Sequence, residues 1–571
     1  MRRSSDLAPL AFLTFWWLLT CVLVGPLGNF PLNDDWSYGT TVQRLVEEGR
    51  LQFGAWQSMP MLTHALWGFV FAKLLGFSWV TLRISSMAAG WLALVSFYFL
   101  LRGLRWRRWG AFVAAAVLLV NPVFVALSQT FMTDVTFLAM SLGAATCGIW
   151  ALRQVQTGRF VFCWSVATLA AVMSTLNRQL GVGLPLAFGA AAMLLPGRGA
   201  RPRRAAAAFV LVPAVLCLLG LVIYGICRRS TSDGSVYLYA VKARDAWMGL
   251  GDLARGRRIT VVMGRLVAVL VTLGLFAFPL VLARFVSLGR QGLRWGAIGL
   301  LAGVAILLAG WRLPLLNNVL GDFGIGPRTV LGPLAAGPRW ASNLFTVLAA
   351  GSAALLVALL VPTVRRAIGA PGRHPISFLG TTCLGVAVLT LGVLVPSRGG
   401  LFDRYVMVLA PLVMAAVPPV VGAFRWRVAV APVAVLLATW TFSVAATHDY
   451  LAWHRARMQL WQAALASNIP CRNVEAGFEL DNLCDGDRVV TGASSVLEER
   501  DFLADHRAAR FAITTQPGPG ETRVLASIDV AAWLPWSVRT LSLVTRSGRD
   551  DFYKRRPTAR RIPISIVDDD V

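Results

Sequence analysis

The sequence predicts an all-α polytopic membrane protein of about 13 transmembrane helices, with interfacial helices in its first outer loop and a small α+β domain outside the membrane at its C-terminus. Three observations carry that prediction. Of 571 residues, 56% are hydrophobic and only 14% charged, whereas a soluble domain covers its core with roughly 25% charged residues. Apolar runs long enough to cross about 30 Å of hydrocarbon recur as far as residue 446. Residues 447–571 then turn polar and are long enough to fold as a separate unit. The chain therefore divides into a transmembrane domain, 1–446, and an extracytoplasmic domain, 447–571.

The expected spans lie near 8–27, 79–101, 110–127, 134–152, 160–176, 180–195, 207–227, 258–283, 296–311, 341–362, 376–395, 404–422 and 428–446. Met1-Arg2-Arg3 precedes the first, which lacks a small-residue cleavage site and reads as a retained span. Segment 59–77 could cross by hydropathy alone. Crossing would put Arg102, Arg105, Arg107 and Arg108 outside, against the tendency of basic loops to stay cytoplasmic, so it is laid along the outer interface with Lys73 at headgroup level. With that choice the cytoplasmic segments are about twice as dense in Lys and Arg as the outer loops. The N-terminus is then cytoplasmic and the tail lies outside a plasma (inner) membrane. Asp6 is the one acidic residue on the cytoplasmic side, although orientation does not require acids to be sorted. That division points to chemistry on the outer face.

A formal net charge of +26 would suggest nucleic acid in a soluble protein. Here Arg anchors loops and meets lipid phosphates, so membrane lipids are the expected partners and nucleic acid is not. Eight Cys without a CxxC pair exclude a disulfide scaffold or zinc ribbon, and five His without HExxH spacing offer no metal-hydrolase site. Cys471 and Cys484, in the oxidising compartment, are expected to pair. Strand-like runs at 488–497, 509–515, 522–530 and 541–546 give the tail its β content.

The first outer loop, 28–78, is far longer than a turn between spans requires, and long ordered loops are usually functional. It opens on Asn33-Asp34-Asp35-Trp36-Ser37-Tyr38, followed by helical spacing over 41–50. Two adjacent carboxylates at a membrane surface repel each other and lose solvation, a cost that a catalytic base or a cation would offset. The plain alternative is helix N-capping. Asp134 stands at the start of the fourth span, where it could also be a cap. It shares the outer face with Asp34, which suits a base and its supporting carboxylate.

Cations follow on the same face. Arg178 sits in a connection of a few residues between spans, at the level of lipid phosphates. Arg228, Arg229 and Arg258 belong to an outer basic cluster that runs against the loop-charge tendency, either to attract anionic lipid or to form a phosphate pocket. Asp403, Arg404 and Tyr405 open the twelfth span, as an ion-paired anchor or as part of a site. A planar guanidinium suits phosphate because it donates to two oxygens at once.

In this order, the acidic pair Asp34-Asp35 with Tyr38, an apolar interfacial stretch, Met132-Thr133-Asp134, Asn177-Arg178 and Asp403-Arg404-Tyr405 resemble the GT-C glycosyltransferases, over about residues 8–450. The subgroup is the family 39 or family 83 type, which includes protein O-mannosyltransferases and the lipid A aminoarabinose transferase. The resemblance implies that Asp34 matches the first acid of the family's Asp-Glu pair. Asp35 stands where Glu is usual, Asp134 matches the second-loop Asp, and Arg178 falls where a basic residue often follows a span. Ser58-Met59-Pro60-Met61 departs from the family's Lys-Pro-Pro or His-Pro-Pro.

This reading implies a sugar transferase with Asp34, Asp35 and Asp134 as catalytic residues. Tyr38, Arg178, Arg228, Arg229, Arg258, Asp403, Arg404 and Tyr405 would bind substrate or phosphate. The expected partners are a polyprenyl-phosphate-linked sugar donor and a glycan, lipid or protein acceptor. No cofactor is required and no metal ligand set is assigned; a divalent cation is compatible because two carboxylates are present, but Arg can supply the charge. The rival is a transporter or flippase of a lipid-linked sugar, which would place charges near the bilayer midplane and show matching halves.

Overall fold

A computed structural model describes residues 6–194 apart from 55 and 155, 212–225 apart from 224, 236–418 with breaks at 286–287, 312–314, 322–323, 327, 329, 331, 333–336 and 370–373, and 426–546 with breaks at 486–505, 507 and 518–520. Helices dominate. The first half comprises α1 (Leu7–Val24), α2 (Asp35–Glu47), α3 (Leu62–Leu75), α4 (Trp79–Gly103), α5 (Arg108–Leu119), α6 (Pro122–Leu127), α7 (Thr133–Arg153), α8 (Thr157–Asn177), α9 (Gly183–Leu194) and α10 (Val212–Ile223). The second half adds α11 (Val236–Ala254), α12 (Ile259–Phe285), α13 (Gly289–Leu308), α14 (Arg339–Gly369), α15 (Pro375–Leu394), α16 (Asp403–Ala415), α17 (Trp426–Ala466) and α18 (Phe478–Asp485).

Among the described residues nine helices are long and apolar enough to cross a membrane: α1, α4, α7, α8, α12, α13, α14, α15 and α17. The other expected spans fall on shorter helices, α5 with α6, α9, α10 and α16. The run 110–127 is two helices because the chain breaks at Asn121-Pro122. Pro122 has no N–H to donate, and the Asn121 side chain accepts from the backbone of Val123 (3.0 Å) and Phe124 (3.1 Å), starting a new helix. Helix α3, at 14 residues, is about 21 Å long and falls short of a crossing. It buries Thr63, His64, Ala65 and Gly68 against the bundle while Leu66, Val70 and Leu74 remain exposed.

With α5 and α6 counted as one pass, successive helices of the bundle reverse direction, so the described loop residues sort onto two ends. One end carries the described residues of 25–78, 128–132, 178–182, the strap 309–338 between α13 and α14, 395–402, and those that follow α17. At the opposite end Asp6 accepts from Tyr98 (2.6 Å) and pairs with Arg102 (2.9 Å), fixing α1 against α4. The chain leaving α1 is tied down by Arg83 of α4. Its buried guanidinium donates to the carbonyls of Pro26, Gly28 and Phe30 in that loop and to that of Gln129 in the α6–α7 turn, so one charge serves four backbone acceptors.

The span expected to end at 446 continues to Ala466. Helix α17 has 41 residues and is about 60 Å long, twice the hydrocarbon thickness. Its outer turns bury Trp453, Leu460 and Ala464 against Val474, Leu480, Ile513, Leu541 and Leu543. Thus the helix that leaves the bundle also forms a wall of the C-terminal core. That unit holds a four-stranded sheet, β3 (Val474–Glu475), β4 (Phe511–Thr514), β5 (Glu521–Asp529) and β6 (Thr540–Arg546), in the order β3-β4-β6-β5, if the short pair β1 (Leu320–Gly321) and β2 (Gly324–Ile325) in the strap is numbered first. The three runs at 509–515, 522–530 and 541–546 are β4, β5 and β6; the run at 488–497 lies outside the described residues. Cys471 and Cys484 are disulfide-bonded, with Cα atoms 6.0 Å apart.

Candidate active site

Asp34 occupies the N-cap position of α2, yet its carboxylate makes no capping hydrogen bond. The preceding residue explains the turn: Asn33 has φ of 51°, a left-handed conformation that Asn tolerates better than most residues. The carboxylate is directed across the loop instead. It accepts from Trp56 Nε1 (2.9 Å) and from the Tyr38 hydroxyl (3.4 Å), and Arg404 Nη1 lies 3.8 Å from Oδ2. Its side chain is 17% exposed, so the group is screened but reachable.

Asp35 is set differently. It is buried and accepts from the backbone N–H of Leu32 (3.2 Å), and its own N–H returns to the Leu32 carbonyl (3.0 Å). Burial pushes its carboxyl up to about 8, opposed by backbone donation at Phe131 and by the Arg83 guanidinium. The acidic pair is therefore divided: one carboxyl faces the loop and the other faces the backbone.

Asp134 comes from the first turn of α7 and is fully buried. Its partner arrives from the end of α8. Arg178 Nη2 lies 2.9 Å from Asp134 Oδ2, and Arg178 Nε donates to Thr133 Oγ1 (2.8 Å). The turn that aims Arg178 is tight. The Arg178 carbonyl accepts from Gly181 N–H, and a Cβ at Gly181 would lie 2.5 Å from the backbone nitrogen of Thr175. The second oxygen of Asp134, Oδ1, is buried without a hydrogen-bond partner.

Helix α16 closes the cluster. Arg404 stacks over Phe402 (5.1 Å) and over Tyr405 (5.6 Å), and Arg178 lies over the same Tyr405 ring at 5.5 Å. One aromatic ring thus lies within reach of two guanidiniums, each attracted to its π system. Tyr38 lies among all four charges. Burial, then Asp34, drives its hydroxyl well above the usual range, with Arg404 and Arg178 opposing and Asp134 adding. Tyr38 is therefore a neutral hydrogen-bond donor at any ordinary pH. Asp34, Asp134, Tyr38, Arg178, Arg404 and Tyr405, drawn from four separate segments of chain, form one cluster, the candidate site.

No protein-family model matches the chain, and no curated protein matches it. Solved structures do. The chain is similar to the S. cerevisiae protein O-mannosyltransferase Pmt1-Pmt2 complex bound to the sugar donor, with 17% identity and a TM-score of 0.33 across 40% of this chain and 35% of that one. It therefore spans about a third of the length of that relative (35%). It is similar to ArnT from Cupriavidus metallidurans bound to undecaprenyl phosphate, with 12% identity and a TM-score of 0.39 across 94% of this chain and 97% of that one. It is also similar to the oligosaccharyltransferase AglB from Archaeoglobus fulgidus, in complex with an inhibitory peptide and a dolichol-phosphate, with 14% identity and a TM-score of 0.42 across 80% and 59%. The likeness is in overall architecture. With TM-scores of 0.33 to 0.42, the functional reading rests on the geometry of the site itself.

Asp403 is adjacent to Arg404 in sequence, but its carboxylate accepts from the backbone N–H of Val319 (3.1 Å) and Leu320 (2.7 Å). It pins the strap and so fixes the register at which Arg404 enters. Arg258 is buried just before α12. Arg228 and Arg229 lie outside the described residues.

Three contributors were not foreseen from the sequence. Trp56 supplies the shortest hydrogen bond to Asp34. Met59 places its sulfur 3.6 Å from the Tyr38 hydroxyl and 3.2 Å from Thr133 Oγ1. His64 is buried, with Nε2 at 2.9 Å from the Phe131 carbonyl and Nδ1 at 3.0 Å from Thr136 Oγ1. A carbonyl only accepts, so Nε2 carries the proton and Nδ1 receives the threonine hydroxyl. Burial holds the imidazole down to about 4, hence neutral. Its flat face stacks on Phe131 at 3.9 Å, which makes it a support for the 128–132 turn. Among the described residues one group, Cys484, Asp485 and His506, brings potential metal-ligand atoms within 4.8 Å of one another. Cys484 is in the disulfide and offers no thiolate there.

Proposed function

We propose that this chain transfers a sugar from a polyprenyl-phosphate donor to a hydroxyl or amine acceptor at the outer face of the membrane, with inversion. The observation that supports this reading is the convergence of Asp34 with Arg178 and Arg404 around Tyr405 at one end of an apolar bundle. A base beside two guanidiniums at the level of a lipid headgroup suits attack on a sugar whose leaving group is a phosphate.

Asp34 takes the proton from the acceptor as the acceptor oxygen or nitrogen attacks the anomeric carbon. The bond from that carbon to the phosphate oxygen breaks, and the electron pair leaves with polyprenyl phosphate. The leaving group is already anionic, so it needs cations where charge grows and no strong acid. Arg404 and Arg178 fill that role in this mechanism. Trp56 and Tyr38 donate to Asp34 and hold its carboxylate in one orientation. Asp134 holds Arg178 in place. The lipid tail lies between helices of the bundle. A divalent cation is compatible with this step, which does not depend on one.

The membrane side follows from loop charge: the site-bearing end is opposite the Arg102–Arg108 segment, which the positive-inside tendency assigns to the cytoplasm. The transporter reading would require charge near the midplane, and these residues sit at helix ends. Reconstitution tests the choice. Proteoliposomes loaded with polyprenyl-phosphate sugar and supplied with envelope extract should release free polyprenyl phosphate and yield a glycosylated acceptor. Passage of intact donor across the bilayer without transfer would favour the transporter. Mass analysis of the glycans missing from a deletion strain identifies the sugar and acceptor.

A further inference from the structure

The C-terminal unit reaches the base. Helix α18 begins at Phe478, and its second residue, Glu479, is fully buried. Glu479 Oε2 lies 2.7 Å from Arg457 Nη1 of α17, also buried. Its other oxygen accepts the backbone N–H of Asn33 at 3.3 Å. The Asn33 side chain in turn accepts from the Tyr450 hydroxyl of α17 at 3.2 Å. Both ends of Asn33, the left-handed residue directly before Asp34, are thus held by groups from the far end of the sequence. Phe478 adds a second hold. Its ring meets Trp56 edge-on at 5.9 Å and Trp36 at 6.2 Å, and Trp56 is the residue that donates to Asp34.

Helix α18 is itself fixed. Gly477, with φ of 93°, turns the chain from β3 into the helix, Ala476 N–H donates back to Asp481 (2.8 Å), and the disulfide ties Cys484 to Cys471. A rigid element with a buried charge pair is a good place from which to aim a loop, because its side chains have few alternative rotamers left.

We propose that Glu479, clamped by Arg457, is a positioning residue for Asp34: it fixes the Asn33 turn, so the outer C-terminal unit completes the catalytic geometry rather than merely sitting beside it. This rests on the reading of Asp34 as the base. The effect expected is on turnover, since a displaced base loses rate without losing donor contacts made elsewhere.

The test uses the full-length protein in proteoliposomes. Glu479→Gln should lower kcat roughly 10- to 100-fold while the donor KM stays within about threefold. The double variant Arg457→Met with Glu479→Leu removes both charges of the pair together, and should fold yet show the same kcat loss. Tyr450→Phe, which removes one hydroxyl, should lower kcat by about 3- to 10-fold. Hydrogen exchange provides a readout independent of activity: protection of segment 29–41 should fall in these variants while the start of α7 is unchanged. Full turnover with an equally protected segment in a folded Glu479 variant would overturn the proposal. If the wild type transfers no sugar at all, the transferase reading fails, and the exchange measurement still decides whether Glu479 holds the turn.

Discussion

Arg178 and Arg404 lie on one tyrosine ring, their guanidiniums 5.5 and 5.6 Å from the centre of Tyr405. Each also faces a different carboxylate, Asp134 at 2.9 Å for Arg178 and Asp34 at 3.8 Å for Arg404. The two pairs differ in tightness. The first is a tight, buried salt bridge; the second is longer, and in the proposed mechanism a donor phosphate would compete for Arg404.

The tight pair predicts a coupled stability effect. Replacing Arg178 with Gln leaves Asp134 buried without its partner and should cost about 3–5 kcal/mol. Adding Asp134→Asn should restore most of the thermal stability and none of the transfer activity. Thermal unfolding of both variants in detergent measures the coupling, and simple additivity would mean that the pair does not form.

The loose pair predicts a binding effect. Arg404→Lys retains the charge but loses the planar face that stacks on Phe402 and Tyr405, and with it the fork that would hold two phosphate oxygens in the proposed mechanism. Donor KM should rise roughly 10-fold with little loss of stability. Steady-state kinetics against donor concentration checks this.

The C-terminal unit should respond to alkali. Hydrogen bonding to Asp481 is the main cause that raises His506 to about 9, with Val474 and Asp485 assisting and burial opposing. A folded-state value above the unfolded one of about 6.5 means that the stabilisation is complete below that pH and is lost as pH rises through about 9. The charged groups facing the ring are Asp481 and Asp485, the latter also held by Arg472 at 2.8 Å. Melting of the unit should fall between pH 7 and pH 9, and His506→Gln should flatten that dependence.

Reduction gives a separate handle. The Cys471–Cys484 bridge closes a loop with a sequence separation of 13, for which chain entropy alone suggests about 3 kcal/mol. Replacing both cysteines with Ala should lower the melting temperature of the C-terminal unit. Because α18 carries Glu479, it should also increase hydrogen exchange over 29–41.

What the sequence disclosed, and what it withheld, has a physical division. Asp34, Asp134, Arg178 and Arg404 stand out because a charge beside a hydrophobic span is costly and calls for a reason, and the structure brings these four together. Residue type could not separate Asp34 from Asp35, since the distinction lies in which way α2 begins. Asp403 is expected from its position beside Arg404 to face the candidate site, but its oxygens go to the strap backbone, a segment far off in sequence. Trp56 and Glu479 gave no local signal: one is an aromatic residue in a loop, the other an acid in a polar tail, and only tertiary packing joins them to Asp34. The extension of α17 beyond 446 leaves no trace in hydropathy, because the helix continues there on packing against the sheet.

Asp34→Asn, assayed in proteoliposomes with saturating donor, bears most directly on whether Asp34 is the base. The carboxamide preserves size and can still accept from Trp56, but it cannot take a proton at neutral pH. Turnover should fall by about 10²- to 10⁴-fold, with donor KM within a few-fold of wild type. Transfer at the wild-type rate by a folded Asp34→Asn protein would contradict the account.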